Sequence, residues 1–248
     1  MPNWEVVNKR GLITWGGEDS DDYGIYVSES PVFDKPKRKQ TVFNIPGRNG
    51  SILFQEPAFE DVARSYNVWV AEQAGDFPKT LPEIVSDLTA WLNSGTGYQR
   101  LEDSFEPDVF RLAYYSGGDN FSDNMLQYGE SELIFTCRPE RFLKSGETPV
   151  ALVNGGTIEN PTRFDSKPLI HIEGSGTVSV TINDSTVTAQ IVDYINIDCE
   201  RMNAYRLPSE NMNDKISGSF PVLAGGYNSI ATTGTITTAT ITPRFYTI

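Results

Sequence analysis

The sequence predicts a mainly β protein that carries one amphipathic helix. Three observations lead there: short alternating apolar and polar runs separated by Gly, Asn, Asp and Pro; one segment, Leu81 to Leu92, with helical spacing; and a Thr-rich second half in which the alternation recurs. At 248 residues the chain can bury one large core or two ordinary ones. Hydrophobic residues make up only 38%, but aromatic residues reach 11%, more than a disordered chain carries, so the chain is expected to fold.

The first clear element is a hairpin. Thr41-Val42-Phe43-Asn44-Ile45 and Ser51-Ile52-Leu53-Phe54-Gln55 flank Pro46-Gly47-Arg48-Asn49-Gly50, in which Asn49-Gly50 suits the positive φ angles of a tight turn. Phe43 and Ile45 are expected to share a face with Ile52 and Phe54, with the register left open by the five-residue loop. The helix follows. Ile84, Val85, Leu88, Trp91 and Leu92 form its apolar stripe, Pro82 suits the first turn and Gly95 reads as the stop, placing the helix near 81–93. About three turns, at ~3.6 residues each, suit a lid on a sheet better than a membrane or cofactor surface.

Arg138-Pro139-Glu140-Arg141 precedes the charged, turn-rich Lys144-Ser145-Gly146-Glu147-Thr148-Pro149, which reads as a linker. The expected domains are therefore 1–143 and 144–248. In the second, Val178, Val180 and Ile182 alternate with Ser and Thr, Asn183-Asp184-Ser185 offers a turn, and Val187, Ala189 and Ile191 continue the pattern. Ile195, Ile197 and Cys199 repeat it, and the Thr-rich run from Ala231 to Thr242 adds β-prone sequence, consistent with a compact sandwich without a helix.

Charge narrows the function classes. The formal net charge is −13, and the acidic excess is concentrated early, with 13 basic against 23 acidic residues up to Leu143 and 7 against 10 thereafter. This balance opposes nonspecific binding to phosphate backbones. Cys137 and Cys199 lack CxxC spacing and are expected to be buried thiols. The opening MPNWEVVNKRGL lacks a secretory apolar core, and no apolar run is long enough to span a bilayer, so no membrane insertion and folding in the cytoplasm are expected.

Few residues suggest chemistry. His171 is the only histidine, which rules out a His cluster for metal within one chain, and within Pro168-Leu169-Ile170-His171-Ile172 it reads as a strand residue rather than a catalytic base. Glu18, Asp19, Asp21 and Asp22 lack EF-hand spacing and read as a solvated loop. Glu102, Asp103, Glu106 and Asp108 are carboxylates that a glycoside hydrolase would need in pairs, but spacing in sequence does not fix their separation. Gly117-Gly118, Gly155-Gly156 and Gly225-Gly226 lack the Lys and Ser/Thr of a phosphate loop. The basic run Lys35, Lys37, Arg38 and Lys39, broken by Pro36, reads as a guarded strand edge or as a partner for a neighbour's acidic surface. No catalytic, cofactor-binding or metal-binding residue is expected.

Several ordered motifs resemble the distal tail protein (Dit) family of phages with long, non-contractile tails. In the first part these are Gly24-Ile25, Ile45-Pro46-Gly47-Arg48-Asn49-Gly50-Ser51, Trp91-Leu92 and Phe135-Thr136-Cys137-Arg138-Pro139 with Arg141. In the second they are Asn154-Gly155-Gly156-Thr157 with Pro161, Phe220-Pro221-Val222-Leu223, Gly225-Gly226-Tyr227-Asn228 and Pro243-Arg244. The resemblance implies an amino-terminal β-sandwich with an added helix that forms a homo-hexameric ring, followed by a peripheral galectin-like β-sandwich. It further implies a non-enzymatic hub at the virion tail tip, joining the tail tube or tail-terminal protein to the tail-associated lysin or fibre hub and to receptor-binding proteins. DNA would pass through the lumen without specific binding. A carbohydrate-binding module, with Tyr194, Tyr205 and Tyr227 as stacking rings, and a cell-wall hydrolase are the alternatives.

Overall fold

In the computed structural model, which describes residues 11–32, 35–71, 79–118, 122–124, 128–207 and 209–248, the alternating segments form strands and the segment with helical spacing forms an α-helix. The chain divides into two units between Arg141 and Phe142.

The first unit contains β1 (Ile13–Trp15), β2 (Glu18–Asp19), β3 (Ile25–Val27), β4 (Arg38–Phe43), β5 (Ile52–Phe59) and β6 (Val62–Ala71). After α1 (Leu81–Leu92) come β7 (Gln99–Asp103), β8 (Val109–Gly118), β9 (Ser122–Asn124) and β10 (Tyr128–Leu143), the last of which ends just inside the second unit. The main sheet runs β2-β1-β7-β8-β10-β6-β3, and its two ends meet: Gly11, just before β1, exchanges backbone hydrogen bonds of 3.3 and 2.9 Å with Val27 of β3. A side chain would not fit at Gly11, since a Cβ there would stand 2.3 Å from the Phe105 ring. Alternate residues of the curled sheet, among them Ile13, Trp15, Val68, Leu101, Leu133 and Phe135, point into one core.

Helix α1 covers that core as a lid. Glu83 reaches back to accept hydrogen bonds of 2.8 Å from both the N–H and the hydroxyl of Thr80, satisfying a free donor at the helix start. Leu81, Ile84, Leu88, Trp91 and Leu92 are buried, the Trp91 indole N–H donates to the Trp15 carbonyl at 3.2 Å, and the Trp91 ring stacks on Tyr23 at 4.7 Å. The helix stops at Asn93, two residues before Gly95, with the Asn93 side chain donating to the Thr89 carbonyl at 2.8 Å.

The second unit adds β11 (Val150–Ala151), β12 (Thr157–Asn160), β13 (Leu169–Ile182), β14 (Ser185–Ile191), β15 (Tyr194–Asp198), β16 (Asn203–Tyr205), β17 (Ile216–Gly218), β18 (Gly226–Thr242) and β19 (Tyr246–Thr247). Two long strands organise it. The first half of β13 lies between β15 and the second half of β18, whereas its second half lies between β14 and the first half of β18. Register shifts between Glu173 and Gly174 and between Ser175 and Ser179 mark where the strands pass from one layer to the other. The layers β11-β18-β13-β15-β16 and β12-β18-β13-β14-β17 share one core, built on Ile170, Ile172, Val178, Val180, Ile195 and Ile197. At the crossing, Gly234 has a φ of +97° and its Cα lies against the Thr177 carbonyl, where a Cβ would approach to 2.3 Å. Asn183, with a φ of 52°, makes the expected turn between β13 and β14.

The segment Lys144–Glu147 is a short 3-10 turn within the second unit. Its Gly146 is buried and its carbonyl accepts the Arg244 N–H at 2.7 Å. Among the described residues, this unit has no α-helix.

Candidate functional site

Among the described residues of the first unit, the hairpin β4–β5 is the element whose apolar side chains find no core. Phe43 pairs with Ile52, Val42 with Leu53 and Thr41 with Phe54, so Phe43, Ile52 and Phe54 share one face while Val42 and Leu53 occupy the other. Ile45 lies outside the strands. The turn also differs from the expected Asn49-Gly50 type: Pro46 and Gly47 stand at its centre, Gly47 has a φ of +81°, and the Arg48 N–H donates to the Ile45 carbonyl at 3.2 Å. Gly50 supplies a second positive φ, and the longer loop from Asn44 to Ser51 is tied by Ser51 to Asn44 at 2.6 Å.

Both faces are open. Phe43 and Phe54 are 56% and 61% exposed, and Val42, Ile45, Ile52 and Leu53 are exposed as well. Contiguous exposed apolar side chains of this kind mark an interaction surface. The basic run lies at the root of the same arm: Lys35, Lys37, Arg38 and Lys39 are all exposed, with the Arg38 guanidinium 5.0 Å over the Phe59 ring.

Beside this root, two of the carboxylates singled out in the sequence are tied to arginines. The Asp103 Oδ2 accepts from Arg64 at 2.9 Å and from the Tyr66 hydroxyl at 2.8 Å, while Oδ1 accepts the backbone N–H groups of Phe105 and Glu106, both at 3.0 Å. Glu106 accepts from Arg64 at 3.4 Å and closely from Arg111 and Arg141. Arg64 also donates to the Val32 carbonyl at 3.0 Å. Burial pushes the Asp103 carboxyl upward, but hydrogen bonds from Tyr66 and Arg64 and the charges of Arg64 and Arg111 outweigh it and hold its pKa below the ordinary value. Burial raises the Tyr66 hydroxyl, and the adjacent Asp103 charge adds to that shift. The buried group in this arrangement is therefore an ionised, fully engaged carboxylate rather than a proton donor. Glu102 pairs instead with Arg100.

The role of Arg64 was missed from the sequence. Its signal was parity: Arg64 is in phase with the buried Tyr66, Val68 and Val70 of β6, and Asp103 is in phase with Leu101 of β7. Charges at core positions of two strands demand each other.

The remaining candidates are dispersed. His171, on β13, makes a 2.8 Å hydrogen bond to Asn196 and packs 5.7 Å from the Tyr194 ring. Tyr205 lies on β16, and Tyr227, on β18, is 76% exposed. Glu18 accepts from Tyr23 at 2.6 Å and Asp19 from Thr14 at 2.5 Å, so these acids brace their own loop. Cys137 and Cys199 are buried free thiols, and burial pushes Cys199 up to about 12. Among the described residues no cluster of His, Cys, Asp and Glu has a metal-holding arrangement, and no helix is long and apolar enough to cross a membrane.

No protein-family model matches this sequence, and no match was found among curated proteins. Solved structures are similar in fold. The Dit (gp 19.1) protein of phage SPP1, described as a paradigm of hub adsorption apparatus in phages infecting Gram-positive bacteria, superposes with a TM-score of 0.75 at 13% identity over 96% of this chain and 99% of that one. A chain of the phage P2 baseplate in its activated conformation with Ca gives a TM-score of 0.49 at 10% identity over 94% of this chain and 96% of that one. The first likeness spans almost the whole of both chains and establishes that this chain has the same mainly β fold.

Proposed function

We propose that this chain is a non-enzymatic structural subunit of a phage tail tip, that its first domain (1–143) assembles into a homo-hexameric ring, and that residues 144–248 form a galectin-like second domain. The observation that carries the reading is the β4–β5 arm, which exposes apolar side chains on both faces. Burying them against a neighbouring copy removes apolar area from water at roughly 25 cal/mol per Å². The exposed basic root of the arm suits the acidic surface of another copy, since the chain as a whole carries −13. A heterologous contact of this kind, arm to neighbour, closes into a ring when the rotation permits. The full-length likeness in fold to the SPP1 Dit protein supports the same reading.

The ring joins the tail tube or tail-terminal protein to the tail-associated lysin or fibre hub, and receptor-binding proteins attach to it. DNA passes through the lumen, and the acidic excess of the first domain favours sliding over retention. Engagement of Asp103 and Glu106 by arginines weighs against the hydrolase alternative, because Asp103 is held ionised and the oxygens of both carboxyls are already taken up by arginines.

Light scattering across protein concentration and negative-stain microscopy test this, in the presence and absence of tail tubes. The expected particle contains six copies of 27.5 kDa, about 165 kDa, with a central hole. Phe43→Ser with Phe54→Ser abolishes the particle and leaves the monomer's unfolding temperature unchanged, as both side chains are already exposed. A monomer that persists on tail tubes refutes the reading.

A further inference from the structure

We propose that the cleft beside the root of the arm receives a carboxylate side chain of a second copy of this chain; the proposal rests on the ring reading above. The cleft is walled by Pro36 and Val62 and lined by Arg64, Arg111, Arg138 and Arg141. Pro36 lies two residues before β4 and Val62 opens β6, so both ends of the arm start at this cleft.

Among the described residues four guanidinium groups face three carboxylates, and the acids are unevenly shared: Glu106 accepts from Arg64, Arg111 and Arg141, Asp103 serves Arg64 chiefly, and Glu140 stands 3.5 Å from Arg138. The Nε–H of Arg141 is buried and has no hydrogen-bond partner among the described residues. A buried donor left unmet costs about 1–3 kcal/mol, so a fold keeps one where something else supplies the acceptor. Arg138 and Arg141 remain partly open, with 38% and 36% of their side chains exposed, while Arg64 and Arg111 are buried behind them.

The arrangement fits a carboxylate. Guanidinium forks match its two oxygens, and the buried arginines behind add field without competing for the entering group, since their own bonds to Asp103 and Glu106 are made. A second copy is the occupant that the charges favour: the cleft is locally cationic within a chain of −13, and the first 143 residues alone hold 23 acidic side chains. An arm laid on a neighbour brings that neighbour's surface to the arm's own root. Apolar contact along the arm would then provide affinity, and the carboxylate in the cleft would fix the register.

Arg138→Lys places an amine in the cleft. Rings assembled from equal parts of unlabelled and ¹⁵N-labelled Arg138→Lys protein are treated with a water-soluble carbodiimide and read by peptide mass spectrometry. The expected product is an amide between Lys at position 138 and an Asp or Glu of the other isotope, hence of another copy. In parallel, Arg138→Glu raises the concentration for half-assembly about tenfold or more while its unfolding temperature stays at the wild-type value. Crosslinks confined to one copy, such as to Glu140, or an Arg138→Glu protein that assembles like wild type, overturn this inference and leave the ring standing. Failure of the wild-type chain to assemble on tail tubes overturns both.

Discussion

Replacing Asp103 by Asn tests the reading of the buried arginine cluster. The substitution keeps the shape and removes the charge. Asp103 takes four hydrogen bonds, two from Arg64 and Tyr66 on one oxygen and two from backbone N–H groups on the other. An amide has one acceptor oxygen. If that oxygen serves the Phe105 and Glu106 N–H groups, the amide nitrogen faces the Arg64 guanidinium, setting donor against donor, and the Tyr66 hydroxyl loses its acceptor. The reverse flip faces it against the backbone donors instead. Either way Arg64, 3% exposed, keeps its charge, with Glu106 at 3.4 Å as the acid contact left to it among the described residues. Breaking one side of a buried ion pair costs about 3–5 kcal/mol, and with a slope of about 2 kcal/mol per M the urea midpoint falls by about 2 M. All four tryptophans precede Arg141, so tryptophan emission follows the first unit alone. Adding Arg64→Met to Asp103→Asn should recover part of the loss, because the uncompensated charge goes with it. A midpoint shift below about 0.5 M, or a double variant less stable than the single one, refutes the claim that charge compensation holds these strands together.

Acidification should act on both units through the same kind of group. Asp103 and Asp198 have depressed native pKa values, the latter because hydrogen bonds and charge from Arg244, with backbone N–H bonds, outweigh its burial. Their stabilisation is present above the unfolded value near 3.8 and is lost as pH falls through the lower folded values, so unfolding temperature should hold from neutrality to about pH 5 and drop below about pH 4. Trypsin should cut first at Arg48, in the exposed arm loop, and only later at Lys144, whose turn packs against Arg244; assembled rings should be protected at Arg48. Early cleavage at Lys144 instead would show that the junction opens before the arm does. His171→Ala removes a 2.8 Å hydrogen bond to Asn196 and a long 3.5 Å one to the exposed Glu173 from a partly exposed strand position, and should cost about 1 kcal/mol or less by thermal unfolding, without loss of infectivity. A stable variant virion that cannot infect would reveal a binding role at this face.

Much of the fold was legible because the side-chain period announces itself locally. The helix was set by Ile84, Leu88, Trp91 and Leu92, all buried as the stripe requires, with Val85 partly buried beside them, and its start by Pro82. Alternation likewise placed Val178, Val180 and Ile182 on the core side of β13. Longer-range features were not visible. That β13 and β18 each serve two layers depends on bulges at Gly174 and near Gly176, and a bulge is a property of two paired strands rather than of either sequence. The arm's turn was misread for a related reason: Asn49-Gly50 and Pro46-Gly47 each make a sound turn alone, and the pairing of Phe43 with Ile52 selects the longer loop.

The cluster around Glu106 was harder to read, for a reason that bears on how function is inferred. Its members stand at positions 64, 103, 106, 111 and 141 on four strands and a loop, so local spacing carries no trace of the constellation. The carboxylates alone looked like a hydrolytic pair. Only the arginines distinguish the readings, because a glycosidase acid needs a raised pKa, whereas the bonds to Asp103 hold its pKa below the ordinary value and three guanidinium groups occupy the oxygens of Glu106. Arg64 offered the deciding signal, since an arginine in phase with Tyr66, Val68 and Val70 must be buried and must find an acid. The same parity argument separates the arm from the core strands. Phe43 and Phe54 alternate as core residues do, but Val42 and Leu53 between them are apolar too, and a strand apolar on both faces needs cover on both. Within the first unit the core is already filled by the curled sheet and its helical lid, and the arm's apolar side chains lie outside that core.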